Sequence, residues 1–127
     1  MNEFKRGAVH LCRLYGAGSV QRGLRPVVIV SNDIGNLHSP VLTVVPITSK
    51  FKKPLPVHVY VPASEGVLRY NSIILTEQIL TVNKEDISPF PIGCLPDHII
   101  SYLDKALSIS LGLQIFGEEK INDCRNG

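Results

Sequence analysis

A polar loop carrying two arginines runs directly into an apolar strand near the N-terminus. The loop spans residues 18–26 and is bounded by glycines, and its polar side chains are Ser19, Gln21, Arg22 and Arg25. Because the strand that follows is rigid, we expect it to hold Arg25 at its mouth while Arg22 lies on the mobile loop. This arrangement suits the binding of a polyanion and chemistry upon it.

Three further polar segments end other predicted strands. They are the pair of hydroxyls and the cation at Thr48, Ser49 and Lys50, the pair Glu77 and Gln78, and the segment 32–36 that begins with Asn32. Each segment alone also fits an ordinary strand end or turn, since Thr and Ser commonly bond nearby backbone. Together they form polar clusters at the ends of successive strands, where barrels place their sites.

Familiar catalytic and metal-binding signatures are absent from the sequence. There is no P-loop, dinucleotide fingerprint, HExxH or GxSxG motif. The four histidines are scattered, and the three cysteines form no cluster with zinc spacing. We therefore expect an activity without a metal or cofactor, or no activity, and three reduced thiols in a cytoplasmic protein. These residues are His10, His38, His58, His98, Cys12, Cys94 and Cys124.

Charge is distributed unevenly along the chain. Residues 1–60 contain eight Lys and Arg against two Asp and Glu, a balance of +6, whereas residues 61–127 contain five against nine, a balance of −4. The basic half includes the loop with the two arginines and the run Lys50, Lys52 and Lys53 around Phe51. A basic face of this kind attracts phosphates, although solvated lysines also keep a small protein in solution.

The spacing of apolar residues, glycines and prolines predicts a mainly β chain with one long helix. Strands are predicted at 8–14, 27–31, 41–48, 57–61 and 72–76, a helical turn at 84–87, a short edge strand within 88–95, and a helix at 97–113. Pro26 is predicted at the first position of its strand and 32–40 as a loop. We expect one domain over residues 1–115, followed by a polar tail at 116–127, with no signal peptide and no membrane span.

Strands at intervals of about ten residues indicate a small β-barrel or sandwich, and the helix would cap it. One side of the helix is apolar and could bury against the barrel or against a second subunit. Its members are Ile100, Leu103, Leu107 and Leu111, with Ile99 and Ala106 beside them.

Five separated motifs resemble the MazF/PemK family of toxins from type II toxin–antitoxin modules. They agree with the family in order and spacing, over residues 5 to 113. The motifs are Gly23-Leu24-Arg25-Pro26-Val27-Val28-Ile29-Val30-Ser31-Asn32-Asp33, Ser39-Pro40, Val44-Val45-Pro46-Ile47-Thr48-Ser49, Leu55-Pro56-Val57-His58-Val59, and Glu77-Gln78-Ile79 followed by Thr81-Val82.

The resemblance implies a compact SH3-like barrel that is usually a homodimer. Members are mRNA interferases, which cut single-stranded RNA at short specific sequences without a metal. The 2′-OH of the RNA attacks the neighbouring phosphodiester and leaves a 2′,3′-cyclic phosphate and a 5′-OH. A cognate antitoxin neutralises the enzyme by laying a disordered segment along the RNA groove.

The resemblance also implies roles for individual residues. The usual catalytic pair corresponds to Arg25, which would stabilise charge on the phosphorane and donate a proton, and Thr48, which would orient the phosphate or the 2′-OH. Two further groups are expected to bind RNA. The bases would be read by Ser19, Gln21, Asn32, Glu77 and Gln78, and the phosphates attracted by Arg22, Lys50, Lys52 and Lys53. Ser49 is also expected to bind RNA.

Three positions depart from the pattern of the family. Val20 replaces a loop glutamate, Ala8 an aspartate, and Leu80 a basic residue. Because valine can neither accept a proton nor orient the arginine, Glu77 is the nearest alternative base. An RNA- or antitoxin-binding protein with weak or no catalysis is therefore a second hypothesis. A gyrase poison of the CcdB type, which shares the barrel, is a third, and the motifs around Arg25 and Thr48 argue against it.

Overall fold

A computed structural model describes residues 4–113 as a curled antiparallel sheet capped by one helix. The strands are β1 (Ala8–Tyr15), β2 (Arg22–Ile29), β3 (Val41–Thr48), β4 (His58–Val61), β5 (Ser72–Leu75), β6 (Leu80–Asn83) and β7 (Gly93–Cys94). The α-helices are α1 (Asp33–His38) and α2 (Asp97–Leu111), and single 3₁₀ turns occupy Ala63–Glu65 and Lys84–Asp86. The prediction of a mainly β chain with a C-terminal helix is confirmed.

Strand β3 is the centre of the sheet. The strand order is β4-β5-β3-β2-β1-β7, and β6 also pairs with β3. Strands β5 and β6 follow one another along the same edge of β3, and residues 76–79 bulge out between them. Bulges bend a sheet and re-aim side chains, and this one carries the predicted site residues Glu77 and Gln78.

Two apolar clusters lie on opposite faces of the central strands. One cluster joins Val28 and Val45 to helix α2 through Leu103, and the other joins Val27 to Ile87. The run of apolar residues in β2 is therefore buried on both faces, as its lack of alternation predicts. This double burial gives β2 and β3 a rigid core from which their ends project.

The apolar side of α2 is buried in its middle and exposed at its end. Helix α2 begins after Pro96 and ends at Gly112, whose φ of 67° terminates it in the left-handed region. Its buried residues are Ile99, Leu103, Ala106 and Leu107. Leu111, on the same predicted side, is 57% exposed in the single chain.

Strand β2 begins earlier than predicted. It starts at Arg22, so Arg22 lies on a strand and not on the loop, and Pro26 lies inside the strand and not at its first position. Pro26 is tolerated there because, at this point, β2 has only β1 as a neighbour and its missing N–H breaks no ladder.

The prediction of a loop at 32–40 was also wrong. Residues Asp33–His38 form α1, which begins where the Asn32 side chain accepts a hydrogen bond of 2.8 Å from the Gly35 amide. Strand β6 was not predicted at all, although Leu80 and Val82 alternate with the exposed Thr81 and Asn83. The other predicted strands and the helical turn near Lys84 are found within one or two residues, except that the edge strand within 88–95 is reduced to Gly93–Cys94.

The predicted polar tail at 116–127 and Cys124 lie outside the described residues, so the division into a domain and a tail stays a prediction. Within residues 4–113, none of the helices has the length and apolar character needed to span a bilayer.

Candidate active site

Arg25 and Thr48 line the same groove. Its volume is about 630 Å³, and its walls come from β1, β2, the end of β3 and the connection from β4 to β5. The lining residues are Leu11, Arg25, Pro26, Ile47, Thr48, Ser49, Leu68, Arg69, Tyr70, Ser72 and Ile92. The two residues predicted as a catalytic pair, 23 positions apart in sequence, thus meet in one concave site.

The groove opens where β2 and β3 separate. Their antiparallel pairing ends at Val27 opposite Pro46. Extended by two residues, this register would set Arg25 opposite Thr48. It stops where Pro26, which would face Ile47, lacks the N–H group that a continued ladder needs. Pro26 therefore helps to leave the predicted catalytic pair facing open space.

The guanidinium of Arg25 is anchored through one of its nitrogens. Its Nε donates a hydrogen bond of 2.9 Å to the carbonyl oxygen of Arg22. Among residues 4–113, no carboxylate pairs with Arg25. The two terminal nitrogens are therefore available to form parallel hydrogen bonds to the oxygens of a phosphate.

Thr48 is fixed by its position at the end of β3. Only 5% of its surface is exposed, and its Oγ1 accepts a hydrogen bond of 3.2 Å from the Lys50 amide. This is the strand-closing bond expected of a threonine at such a site. Because the bond uses a lone pair, the hydroxyl proton stays free to be donated into the groove.

Three lysines follow the groove lining in sequence, and we call their segment the rim of the groove. Ser49 lines the groove, and the exposed Lys50 and Lys53 and the half-buried Lys52 follow in the connection to β4. Arg22 is exposed on β2, three residues from Arg25, and does not line the groove. A role of these four residues in binding phosphates stays a prediction.

Two further residues of the groove were not predicted. Arg69 and Tyr70 are exposed on the connection from β4 to β5, and both line the groove. The backbone of Tyr70 is held by a hydrogen bond of 2.8 Å from the Ser72 hydroxyl to its carbonyl oxygen. Arg69 and Tyr70 reach the groove because β5 pairs with β3 and places Ile73 opposite Thr48. This pairing is long-range, so no local sequence pattern could have predicted the two residues.

Gln78 contacts the loop between β1 and β2. Its Nε2 donates a hydrogen bond of 3.1 Å to the Ser19 carbonyl oxygen, and its Oε1 accepts one of 2.9 Å from the Gln21 amide. Both ends of the Gln78 amide are therefore occupied by backbone. The side chains of Ser19 and Gln21 do not line the groove of Arg25 and Thr48.

Glu77 faces a different part of the molecule. Its Oε2 lies 2.9 Å from Nε2 of His58, whose side chain is 8% exposed and lines a second cavity between β4 and α2. Glu77 is four residues beyond Ile73, the partner of Thr48, which is roughly 13 Å of extended chain. The groove lining contains no carboxylate and no imidazole.

Asn32 is likewise remote from the groove. Its side chain caps α1, and the residue borders a surface cavity beside the ion pair of Arg6 with Asp104. Sequence reasoning grouped it with the site because it follows β2 directly. It lies beyond the C-terminal end of β2, seven residues after Arg25, and does not line the groove.

The family of the chain follows from comparison with known proteins. A family model described as the PemK-like, MazF-like toxin of type II toxin–antitoxin systems matches residues 5–111. The chain belongs to this family. The membership confirms the family that the five motifs predict.

A curated MazF-type relative has a closely similar sequence. Endoribonuclease EndoA of Bacillus subtilis is 41% identical over 111 residues, which cover 86% of this chain and 95% of that protein. It is an endoribonuclease by name, in agreement with the enzyme class that the motifs predict.

Solved structures of MazF-type toxins share the fold. An endoribonuclease from a mycobacterial species, 26% identical, has a TM-score of 0.73 over 89% of this chain and 95% of its own. A MazF from Deinococcus radiodurans, 21% identical, has a TM-score of 0.72 over 86% and 96%. These matches confirm the predicted barrel with its C-terminal helix. A third structure, with a TM-score of 0.71 at 24% identity over 87% of this chain and 97% of its own, is an endoribonuclease in complex with its cognate antitoxin.

The cysteines and histidines of this MazF-type chain form no metal site within the described residues. Cys12 is buried, and burial, with a smaller effect of Asp86, raises the pKa of its thiol to about 11. Cys94 is exposed and free. His10 is fully buried on β1, and desolvation lowers its pKa. The polar side chains that line the groove are arginines and hydroxyl groups, with no thiol or imidazole among them.

Proposed function

We propose that the chain is a toxin that cuts single-stranded RNA at short specific sequences without a metal. The observation that carries this proposal is the groove that both Arg25 and Thr48 line, one with two unpaired guanidinium nitrogens and one with a free hydroxyl proton. The endoribonuclease name of the relative and the family of the chain support it. RNA as the substrate agrees with action in the cytoplasm.

The reaction is an in-line attack within the RNA. The 2′-oxygen forms a bond to the adjacent phosphorus as the bond from phosphorus to the 5′-oxygen breaks, which yields a 2′,3′-cyclic phosphate and a 5′-OH. Arg25 stabilises the charge that develops on the phosphorane and gives a proton to the departing 5′-oxygen. The hydroxyl of Thr48 donates to a phosphate oxygen and holds the phosphate in line with the 2′-OH.

The proton of the 2′-OH passes to solvent. Arginine is a poor base because its guanidinium is already protonated near neutral pH, and Glu77 is engaged with His58 outside the groove lining. We therefore give Glu77 no part in proton abstraction. The chemical step should then accelerate about tenfold for each unit of pH near neutrality, with no bell-shaped profile.

Recognition of the RNA extends from the catalytic pair along the groove. Tyr70 offers a ring on which a base can stack, and Arg69 and Ser49 offer donors to phosphates and base edges. Lys50, Lys52 and Lys53 attract the backbone at the rim. A cognate antitoxin would inhibit the enzyme by covering the same groove.

The experiment is cleavage of a synthetic RNA of mixed sequence in the presence of EDTA, with the new ends mapped. Cuts at one short motif with 5′-OH ends are expected. Arg25→Ala and Thr48→Ala should abolish them, whereas Arg13→Ala, an exposed arginine outside the groove, should cut normally. RNA that stays intact at high concentrations of the unaltered protein would contradict the proposal.

A protein that binds RNA or antitoxin with weak catalysis is a second candidate function, and Val20 favours it. Val20 occupies the loop position where the family usually has a glutamate, and its side chain is exposed there. Val20→Glu distinguishes the two. A large gain in cleavage with an unchanged fold would indicate that Val20 weakens the enzyme. Full activity of the unaltered protein would contradict this second candidate function.

We also propose a homodimer. The face of β4 and α2 exposes Tyr60, Tyr102 and Ile109 around an apolar cavity of about 480 Å³, which a second copy could cover. Light scattering should give twice the 14.0 kDa of one chain, and Ile109→Asp should reduce that mass. A monomeric mass for the unaltered protein would contradict the proposal.

A further inference from the structure

The loop between β1 and β2 is folded tightly upon itself. A Cβ atom at Gly16 would lie 2.2 Å from the Gln21 carbonyl oxygen and 2.7 Å from Cγ1 of Val20. The two ends of the loop therefore pack so closely that only glycine fits at position 16. The Val20 amide donates a hydrogen bond of 3.1 Å to the Ala17 carbonyl oxygen. The loop therefore has one defined backbone path.

Gln78 holds this path from outside. Its two hydrogen bonds engage the carbonyl of Ser19 and the amide of Gln21, groups two residues apart on one side of the chain. A neighbouring β-strand would engage the same pair of groups, so the side-chain amide takes the place of a strand that the sheet lacks there.

The two hydrogen bonds of the Gln78 side chain form a clamp that connects the end of β5 to the segment leading to Arg25. The backbone N–H of Gln78 is itself held, because it donates a hydrogen bond of 3.0 Å to the Leu75 carbonyl oxygen. On the loop, Gln21 is followed directly by Arg22, whose carbonyl oxygen accepts the hydrogen bond from Nε of Arg25. A displacement of the loop at Gln21 would therefore move the group that anchors the guanidinium.

We propose that Gln78 is a positioning residue for the ribonuclease reaction. It fixes the loop 16–21 through Ser19 and Gln21, and through Arg22 it sets the place of the Arg25 guanidinium, instead of reading an RNA base. This inference rests on the proposed endoribonuclease activity. Its structural half, the clamp on the loop, can be tested without RNA.

The first measurement is hydrogen exchange of the Gln21 amide by NMR. Gln78→Ala and Gln78→Met should both accelerate it roughly tenfold, the change expected when two hydrogen bonds of ordinary net strength are lost. Methionine keeps the volume of the side chain, so slow exchange in Gln78→Met would mean that packing holds the loop, and would overturn the proposal. Thr81→Ala, an exposed change three residues away, should leave Gln21 unchanged.

The second measurement is single-turnover cleavage of RNA. Both Gln78 variants should lower the rate of the chemical step by about tenfold to a hundredfold, with little change in KM and at every cut sequence alike. Lost discrimination at one base position with unchanged Gln21 exchange would show that Gln78 reads RNA, and would overturn the proposal. If the unaltered protein cuts no RNA, the proposed function fails, while the exchange rates still decide whether Gln78 holds the loop.

Discussion

Arg25 has a role that depends on the shape of its side chain as well as on its charge. One nitrogen of the guanidinium is committed to the Arg22 carbonyl, and the other two have no carboxylate partner among residues 4–113. In the proposed reaction, a single planar group thus links the backbone of β2 to the reacting phosphodiester. Lysine carries the same charge but has one nitrogen, so it cannot occupy both places at once.

Arg25→Lys is therefore expected to behave more like a loss than like a conservative change. Cleavage should fall by about a hundredfold or more, because removal of one aligned donor to a developing oxyanion commonly costs that much. Binding of an RNA with 2′-O-methyl groups, which cannot be cut, should weaken much less. The two quantities are measured by single-turnover cleavage and by fluorescence anisotropy. Near-normal cleavage by Arg25→Lys would show that charge alone is sufficient.

At the scale of elements, the sequence predicts those helices and strands whose bounds depend on local sequence pattern. Strand β3 is correct to the residue because it is a largely apolar segment, interrupted by Thr43, between Pro40 and the polar end at Thr48. Helix α1 was missed because a short helix containing glycine depends on its Asn32 cap and on its docking to β3. Periodicity does not report such contacts.

The candidate site likewise combines residues that the sequence predicts with residues that depend on long-range contacts. Arg25 and Thr48 were predicted as a pair through the resemblance, and the pairing of β2 with β3 then accounts for their meeting. Arg69 and Tyr70 were missed because their place in the groove depends on a long-range pairing of β5. Gln78 was assigned to RNA, since a sequence does not show that backbone groups 57 and 59 residues away occupy its amide.

Helix α2 allows a matched pair of substitutions. Leu103 is fully buried against the sheet, whereas Leu111, which the periodicity places on the same side, is mostly exposed. Leu103→Ala should lower the free energy of unfolding by about 2 to 5 kcal/mol, and Leu111→Ala by about 0.5 kcal/mol or less. Urea denaturation measures both. Equal losses would place Leu111 in an interface that a single chain does not contain.

Strand β1 carries a buried histidine that links stability to pH. Nδ1 of His10 donates a hydrogen bond of 2.7 Å to the Ser88 carbonyl oxygen. Its Nε2 is buried with no hydrogen-bond partner among residues 4–113, and its ring lies beside that of Phe4. Desolvation lowers the pKa of His10 in the folded state below its ordinary value of 6.5. The unfolded chain therefore takes up this proton first as the pH falls, and the folded state loses stability below about pH 6.5.

His10→Gln separates this contribution from other titrations. Glutamine can still donate to the Ser88 carbonyl but carries no titrating group, so its free energy of unfolding should fall less between about pH 7.5 and pH 5.5 than that of the unaltered protein. Urea denaturation at the two pH values gives the comparison. Parallel losses in both proteins would show that His10 is not the source of the pH dependence.

At the scale of the whole molecule, the basic half of the sequence forms one side of the protein. The basic residues 1–60 build β1 to β3 and the connection with Lys50, Lys52 and Lys53, and these elements form much of the groove and its rim. Helix α2, on the other face, belongs to the acidic half, with Asp97 and Asp104 exposed. In the proposed function, a single strand of RNA approaching the groove therefore meets its counter-charge on the side where the predicted catalytic pair lies.

The salt dependence of RNA binding tests whether the three lysines of the rim contact phosphates or only keep the protein in solution. For single strands, each neutralised phosphate contributes about 0.7 to the slope of log affinity against log salt concentration, so replacing all three by alanine should make the slope shallower by about 2. Binding of 2′-O-methyl RNA between about 50 and 200 mM KCl gives the slope. Lys105→Ala, which removes a lysine of α2 beside the other cavity, is the control and should leave the slope unchanged. An unchanged slope in the triple variant would mean that the lysines are merely solvated, and that the arginines of the groove supply the phosphate contacts.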